Sequence, residues 1–268
     1  MTEGPGPHTA MSDTALPDIA AMFSMAGRTA IVTGGSRGIG RSIARGFAAA
    51  GANVVICSRK AEACEATAAE IRAAGGSATS VPAHLGRLDD ISNLVSASVE
   101  AYGAIDVVVN NAANPLMLGV DEVTPEAWSS ALDTNLRGPV FLVQAALPHM
   151  EAGRGAVINV LSNAAFLYTA HHLLYPVAKA GLAAATRSMA ATLADRGIRV
   201  NALVPGTVDT DMVRAMPEAF QESSAQASLL ERAAHPDELI GMALLLASDA
   251  GSFMTGHTYF VDGGQSYD

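Results

Sequence analysis

Short apolar segments alternate along the chain with longer segments whose apolar residues recur at helical spacing. The apolar segments have the length and β-branched content of buried strands, and they are residues 30–32, 53–59, 78–81, 105–109, 155–161, 198–204 and 258–261. Helical spacing predicts helices at residues 41–50, 62–74, 88–102, 173–194 and 236–248. Because strands alternate with helices and most strands are apolar throughout, the pattern predicts an α/β fold with a parallel sheet covered on both faces.

One further helix has a well-marked start. Thr124 is predicted to cap it and Pro125 to occupy its first position. A threonine hydroxyl accepts a hydrogen bond from the first turn, and proline needs no amide partner there. The helix is predicted to run through Asn135 toward Met150, with a break near Gly138.

The length of the chain limits its domain organisation. With 268 residues, half of them hydrophobic, the chain can bury one large core, and an α/β fold of this size usually forms one domain. We expect that domain to cover residues 23–268. A loose extension rich in Gly and Pro is expected at residues 1–22.

Charge and cysteine content narrow the choice of partners and compartment. The formal net charge is −10, from 26 acidic and 16 basic residues, which disfavours nucleic acid and anionic membranes as partners. Cys57 and Cys64 stand alone in apolar or Ala-rich segments and suit a reduced protein. No signal peptide or apolar run long enough to span a bilayer is present. The sequence therefore predicts a cytoplasmic protein.

A glycine-rich loop follows the first strand, where residues 33–40 read TGGSRGIG. Glycines let the backbone turn sharply and approach a ligand closely, and the helix that follows offers unpaired N–H groups at its N-terminus. The loop suits a pyrophosphate. Taken alone, it is equally compatible with tight packing.

Polar residues stand at the ends of several predicted strands. In an open parallel sheet, ligands bind outside the carboxyl ends of the strands. The residues predicted to line one such crevice are Thr33, Ser58, Asn110, Ser162 and the turn at 205–207.

Tyr175 and Lys179 are four residues apart on a predicted helix and therefore share a face. An ordinary tyrosine, with a pKa of about 10, is a poor acid or base at neutral pH, and a nearby ammonium group favours its phenolate. Without further context the pair also fits a surface contact or a core tyrosine.

These motifs together give the chain its resemblance to the classical short-chain dehydrogenase/reductase family. Besides the glycine loop and the Tyr175/Lys179 pair, they are NNAA at 110–113, Asn135, Ser162 thirteen residues before the tyrosine, and Pro205-Gly206. The resemblance extends from about residue 27 to residue 264. It implies a Rossmann-type, doubly wound parallel sheet of about seven strands, and hydride transfer between a nicotinamide and an alcohol or carbonyl.

The resemblance implies catalytic roles for four residues. Tyr175 gives a proton to the carbonyl oxygen during reduction or removes it during oxidation, and Ser162 holds that oxygen. Lys179 binds the nicotinamide ribose and lowers the pKa of Tyr175, while Asn135 distorts its helix and holds a water that links Lys179 to solvent. Two of these residues have simpler alternative interpretations, in which Ser162 is a turn serine and Asn135 is a helix residue that bonds to its local backbone.

The resemblance also implies which residues bind the cofactor. They are Gly34, Ser36, Arg37, Gly38, Ile39, Gly40, Ser58, Arg59, His84, Leu85, Asn111, Ala112, Tyr175, Lys179, Pro205, Gly206, Thr207 and Val208. An acidic residue after the second strand binds the ribose 2′-hydroxyl of NAD, whereas a basic one accommodates the 2′-phosphate of NADP. Here Ser58 replaces the acid, and Arg59 and Arg37 supply guanidinium groups that suit phosphate. We therefore expect NADP(H) rather than NAD(H).

The sequence departs from the family at His84, where an Asp usually contacts the adenine amino group. A neutral imidazole can accept through one nitrogen, which would preserve that contact. An ordinary turn histidine is an equal alternative. His171 and His172 are too isolated to indicate a metal site.

Apolar residues in segments that line the substrate cleft of the family predict an apolar, adaptable pocket. They are Leu116, Met117, Phe166, Leu167, Met212, Met216 and Phe220. An ordinary amphipathic lid helix at 212–220 is the alternative, and residues 207–230 as a whole are expected to be flexible. The sequence does not choose among an oxoacyl thioester, a steroid, a small ketone and a polyol.

The resemblance implies a homotetramer, with a homodimer as the alternative. Two rival functions remain. A non-catalytic nucleotide-binding or redox-sensing module could use the same fold, but an intact catalytic set argues against it. A sugar-nucleotide epimerase or dehydratase is the second rival, but such relatives carry a larger C-terminal substrate domain, which 268 residues barely permit.

Overall fold

A parallel sheet organises residues 16–167 and 172–266, which are the residues that the computed structural model describes. Its strands are Thr29–Thr33 (β1), Asn53–Cys57 (β2), Ser77–Ser80 (β3), Val107–Asn110 (β4), Ala156–Val160 (β5), Arg199–Pro205 (β6) and Thr258–Val261 (β7). They pair in parallel in the order β3-β2-β1-β4-β5-β6-β7. The predicted fold class is confirmed, because the winding reverses between β1 and β4 as in other doubly wound sheets.

Helices cover both faces of this sheet. The α-helices are Ile19–Met22 (α1), Gly38–Ala49 (α2), Ala61–Ala73 (α3), Leu88–Tyr102 (α4), Pro125–Leu132 (α5), Gly138–Ala146 (α6), Leu174–Leu193 (α7), Asp211–Arg214 (α8), Glu218–Gln226 (α9) and Ile240–Ala247 (α10). Helices α2, α3 and α10 pack on one face, and α4, α6 and α7 on the other. Strand residues alternate between the two layers, so that Ala30 and Val32 pack with α2 and Ile31 packs on the opposite face. No helix in the described ranges is long and apolar enough to cross a membrane.

The helix predicted from Thr124 begins as expected but is not uniform. The Thr124 hydroxyl accepts from the Ala127 N–H at 3.2 Å, with Pro125 in the first position. Helix α5 then passes into a π-helical segment, Asp133–Arg137, before α6. The irregularity thus comes just before Gly138, where a Cβ would lie only 2.4 Å from the Leu85 carbonyl oxygen.

Residues 207–230, expected to be flexible, contain helices α8 and α9. The Thr207 hydroxyl donates to the Ser224 carbonyl at 3.1 Å, and Arg214 Nε donates to Asp209 at 2.7 Å. These contacts give the segment local structure that its composition did not indicate.

Residues 1–15 of the predicted extension lie outside the described residues. Within the part that is described, Asp18 caps α1 by accepting from the Ala21 N–H at 3.0 Å. The division into an extension at 1–22 and a domain at 23–268 stays a prediction.

Candidate active site

The glycine loop joins β1 to α2 at the carboxyl edge of the sheet. Gly34 has a φ of +64°, and a Cβ there would lie 2.6 Å from Asn111 Nδ2, so the position requires glycine. Arg37, the residue before α2, gives no side-chain hydrogen bond to the first turn. The N–H groups of that turn are therefore available to an anion, and the loop fits a pyrophosphate.

The predicted binding residues converge on one cleft of about 1000 Å³. Seventeen of the eighteen predicted cofactor residues line it, together with Ser162. Gly40 does not line the cleft, because it packs inside the loop, where a Cβ would lie 2.4 Å from the Gly34 carbonyl oxygen. Gly40 therefore packs against the backbone of the loop and does not contact the cleft.

Asn135 also lies behind the cleft and is completely buried in the π-helical segment. Its Oδ1 accepts from the Asn114 N–H at 2.8 Å, and its Nδ2 donates to the Asn114 carbonyl at 2.9 Å. The side chain therefore fixes the loop after β4. The helix is distorted at Asn135, as the resemblance implied, but its proposed role in holding a water stays a prediction.

Lys179 is buried beneath the cleft on α7, with 1% of its surface exposed. Its Nζ donates to the Val160 carbonyl at 2.6 Å and lies 5.7 Å from the centre of the Tyr175 ring. Burial lowers the pKa of Lys179 from 10.5 to about 8, since a low-polarity environment disfavours the charged form.

Tyr175 lines the cleft one helical turn before this lysine. Burial raises the pKa of Tyr175 to about 12, and a hydrogen bond with Ser162 partly opposes this. The net direction is the opposite of the lowering expected from Lys179, because burial is the larger effect. The phenol therefore keeps its proton at neutral pH.

Ser162 follows β5 and faces the cleft. Its Oγ accepts from the Ala164 N–H at 3.2 Å and donates to Asn163 Oδ1 at 3.3 Å. These local hydrogen bonds are those of a turn serine, which was the simpler alternative predicted for Ser162. The same hydroxyl also forms a hydrogen bond with the Tyr175 side chain, so the two groups are neighbours in the cleft.

Three cationic side chains follow the ends of β1 and β2 in the cleft. Arg37, Arg59 and Lys60 line it beside Ser58, as does Asp211 of α8. Arg37 Nη1 lies 3.7 Å from the Asp211 carboxylate. Cationic side chains therefore stand where the sequence predicted the 2′-phosphate, although one of them already faces a carboxylate.

The apolar residues predicted for the substrate pocket divide into two groups. Those that line the cleft are Met117, Leu167, Met212, Met216 and Phe220. Leu116 is not among the lining residues. Phe166 instead packs on Phe260, with ring centres 5.2 Å apart. His171 lies outside the described residues, whereas His172 lines the cleft.

Comparison with known proteins identifies the family. The family model described as "Enoyl-(Acyl carrier protein) reductase" matches residues 34–266. The human "Dehydrogenase/reductase SDR family member 4" is 37% identical over 244 residues, which cover 90% of this chain and 88% of that protein. This chain belongs to the short-chain dehydrogenase/reductase family.

The similar proteins include named dehydrogenases. An L-rhamnose 1-dehydrogenase (NAD(P)(+)) of Azotobacter vinelandii is 41% identical, over 88% of this chain and 96% of that protein. A gluconate 5-dehydrogenase of Burkholderia cenocepacia, solved in complex with NADP and tartrate, superposes with a TM-score of 0.87 at 34% identity, covering 92% of this chain and 98% of that one. This short-chain dehydrogenase/reductase is an oxidoreductase whose relatives include NAD(P)-binding dehydrogenases.

Two further positions in or beside the cleft were not predicted from the sequence. Asn114 holds Asn135 through its backbone, and the only sequence signal was its place just after the NNAA motif. Gln265 Oε1 accepts from the Thr207 N–H at 3.0 Å and lines the cleft. It lies 58 residues away in sequence, and no local pattern indicated the contact.

Burial of the Lys179 ammonium should lower the stability of the folded protein. Its pKa is lower in the folded state than the ordinary 10.5, so the unfolded chain binds more protons between pH 8 and 10.5 and stability rises with pH there. At pH 7, keeping Lys179 charged in the folded state costs about 3 kcal/mol of stability. We expect Lys179→Met to raise the free energy of unfolding by about 1–3 kcal/mol at pH 7. This range allows for the loss of the hydrogen bond to the Val160 carbonyl. The gain in stability should be smaller at pH 10.

Chemical denaturation at pH 7 and pH 10 tests this expectation. The control is Lys60→Met, which removes the only other lysine of the chain from an exposed position. A Lys179→Met protein less stable than wild type at pH 7, or a gain independent of pH, would contradict the assignment.

Proposed function

We propose that this protein transfers hydride between NADP(H) and an alcohol/ketone pair. The observation that carries the proposal is that Tyr175, Lys179 and Ser162 share one cleft with the glycine loop and with Arg37 and Arg59. A bound nicotinamide supplies the hydride. The residues of the chain then bind that cofactor, orient the substrate oxygen and handle its proton.

Proton transfer falls to Tyr175 in this proposal. During reduction, negative charge develops on the substrate oxygen, and the phenol O–H gives its proton to that atom. The Ser162 hydroxyl donates to the same oxygen and stabilises the charge. Because its pKa is raised, Tyr175 is in the protonated form required for carbonyl reduction at neutral pH, whereas alcohol oxidation is favoured as the pH rises.

Lys179 has two roles in this proposal, binding the cofactor and stabilising the phenolate of Tyr175. One N–H is used by the Val160 carbonyl, and an ammonium group has two further donors. Those donors would hold the hydroxyls of the nicotinamide ribose. The positive charge also favours the phenolate form of Tyr175 once the proton has left.

The substrate proposed here is neutral and largely apolar. The cleft lining from the β4–α5 loop, from the segment after β5 and from α8 and α9 includes Asn114, Met117, Asn163, Leu167, Met212, Val213, Met216 and Phe220. In the described parts of these segments, the ionisable lining residues are Asp211, which lies beside Arg37, and His172. A sugar acid would need a cationic partner for its carboxylate.

The alternative of a non-catalytic binding module has no observation in its favour. The complete set Asn135, Ser162, Tyr175 and Lys179 in and behind the cleft supports catalysis instead. A homotetramer and a cytoplasmic location remain predictions from the family resemblance and the composition.

Turnover on a carbonyl panel tests the proposed chemistry. With NADPH, we expect higher kcat/KM for neutral ketones such as acetophenone than for a keto acid such as 5-ketogluconate. Tyr175→Phe removes the proton donor and should lower kcat by about 10²–10⁴-fold while NADPH still binds. Tyr102→Phe, a change on α4 away from the cleft, is the control. Full activity of Tyr175→Phe would exclude the role of the phenol.

Cofactor preference depends on the guanidinium groups. A 2′-phosphate pairs with arginine, so Arg37→Ala and Arg59→Ala should each weaken NADPH binding about tenfold and leave NADH binding unchanged. Arg45→Ala serves as the control, because Arg45 pairs with Glu70 outside the main cleft. Dissociation constants from cofactor fluorescence give the answer, and NADH binding as tightly as NADPH to the wild type would refute the preference.

A further inference from the structure

The imidazole of His84, after β3, is committed to a local hydrogen bond. Its Nδ1 accepts from the Gly86 N–H at 3.0 Å. A neutral imidazole has one acceptor nitrogen and one N–H, so a ring that accepts at Nδ1 carries its proton on Nε2. His84 therefore presents a hydrogen-bond donor, and not the acceptor expected from the sequence.

The surrounding turn holds the ring in this state. A Cβ on Gly86 would lie 3.0 Å from His84 Cε1 and 3.1 Å from Nδ1, so glycine permits the close approach of that amide. The backbone N–H of His84 donates to Asp90 Oδ2 at 2.8 Å, which fixes the main chain. Arg137 donates to the Gly86 carbonyl at 2.9 Å. These hydrogen bonds fix both the backbone and the ring of His84. The nitrogen that can accept, Nδ1, is already bonded to the Gly86 N–H.

His84 also lies where a purine base would lie. It lines the cleft with Leu85, Ser58 and Arg59. In a doubly wound fold the adenosine ribose binds after the second strand, and β3 is the next strand outward from β2. If the proposed cofactor binds with its ribose at Ser58, the base extends toward the His84 turn.

We propose that His84 recognises the base of the cofactor as a donor, through Nε2–H. The inference rests on the proposed function. Adenine presents a donor amino group at C6 and acceptors on its ring nitrogens, whereas a 6-oxopurine presents an acceptor oxygen at C6. A carboxylate at this position selects the amino group. The His84 N–H cannot accept from that amino group and instead donates to a ring nitrogen such as N7, which is an acceptor in both bases. This protein therefore discriminates weakly between adenine and hypoxanthine in the dinucleotide.

Calorimetric binding of NADP⁺ and of its deamino analogue, which carries hypoxanthine, tests the proposal. We expect wild type to bind the two within about threefold of each other. His84→Asp should shift the ratio by tenfold or more toward NADP⁺, because a charged acceptor bonds the amino group. The control is His149→Asp, an exposed histidine outside the cleft, which should leave the wild-type ratio unchanged.

A wild type that favours NADP⁺ tenfold or more, or a His84→Asp ratio equal to that of wild type, would overturn the proposal. If neither dinucleotide binds, the proposed function fails and the inference fails with it. Nitrogen-15 spectra of the wild-type histidines give an independent readout that needs no folded Asp variant. The His84 signals, identified by their loss in His84→Gln, should show a protonated Nε2, and a protonated Nδ1 would overturn the assignment.

Discussion

The hydroxyl of Thr33 connects the two halves of this protein at the point where the sheet reverses its winding. It donates to the Val109 carbonyl at 3.0 Å and accepts from the Asn111 and Ala112 N–H groups at 2.9 and 3.0 Å. Asn111 returns a hydrogen bond from its Nδ2 to the Thr33 carbonyl at 2.9 Å. The glycine loop after β1 and the turn after β4 are thereby held together, and the floor of the cleft depends on this junction.

A chain of buried side-chain hydrogen bonds links this junction to helix α7, which carries Tyr175 and Lys179. Asn110 Nδ2 donates to Asn159 Oδ1 at 2.9 Å, and Asn159 Nδ2 donates to the Thr186 hydroxyl on α7 at 2.8 Å. Each bond links one element to the next, from β4 through β5 to α7. Because Lys179 also bonds the end of β5, two independent contacts hold α7 in register. The buried lysine opposes stability, and the surrounding packing offsets that cost.

Much of this arrangement could be predicted from local sequence pattern. The strands and the capped start at Thr124 follow from hydrophobic period and from the geometry of parallel sheets. Of the strand-end residues predicted to line one crevice, Ser58, Ser162 and the turn at 205–207 line the cleft, whereas Thr33 and Asn110 are buried and do not line it. The π-helical segment at Asn135 and the contact of Gln265 with Thr207 could not be derived from local pattern, because they depend on groups distant in the chain. The direction of the Tyr175 pKa shift was wrong for a related reason, since the degree of burial is a property of the folded cleft.

The proposed function requires the cleft to bring a nicotinamide and a substrate carbonyl together for direct hydride transfer. A single turnover of acetophenone with NADPH deuterated at C4 of the nicotinamide, one diastereomer at a time, tests it most directly. We expect deuterium from one diastereomer to appear on the carbinol carbon of the product. Label that stays on the cofactor with both diastereomers, or that is lost to solvent, would contradict it.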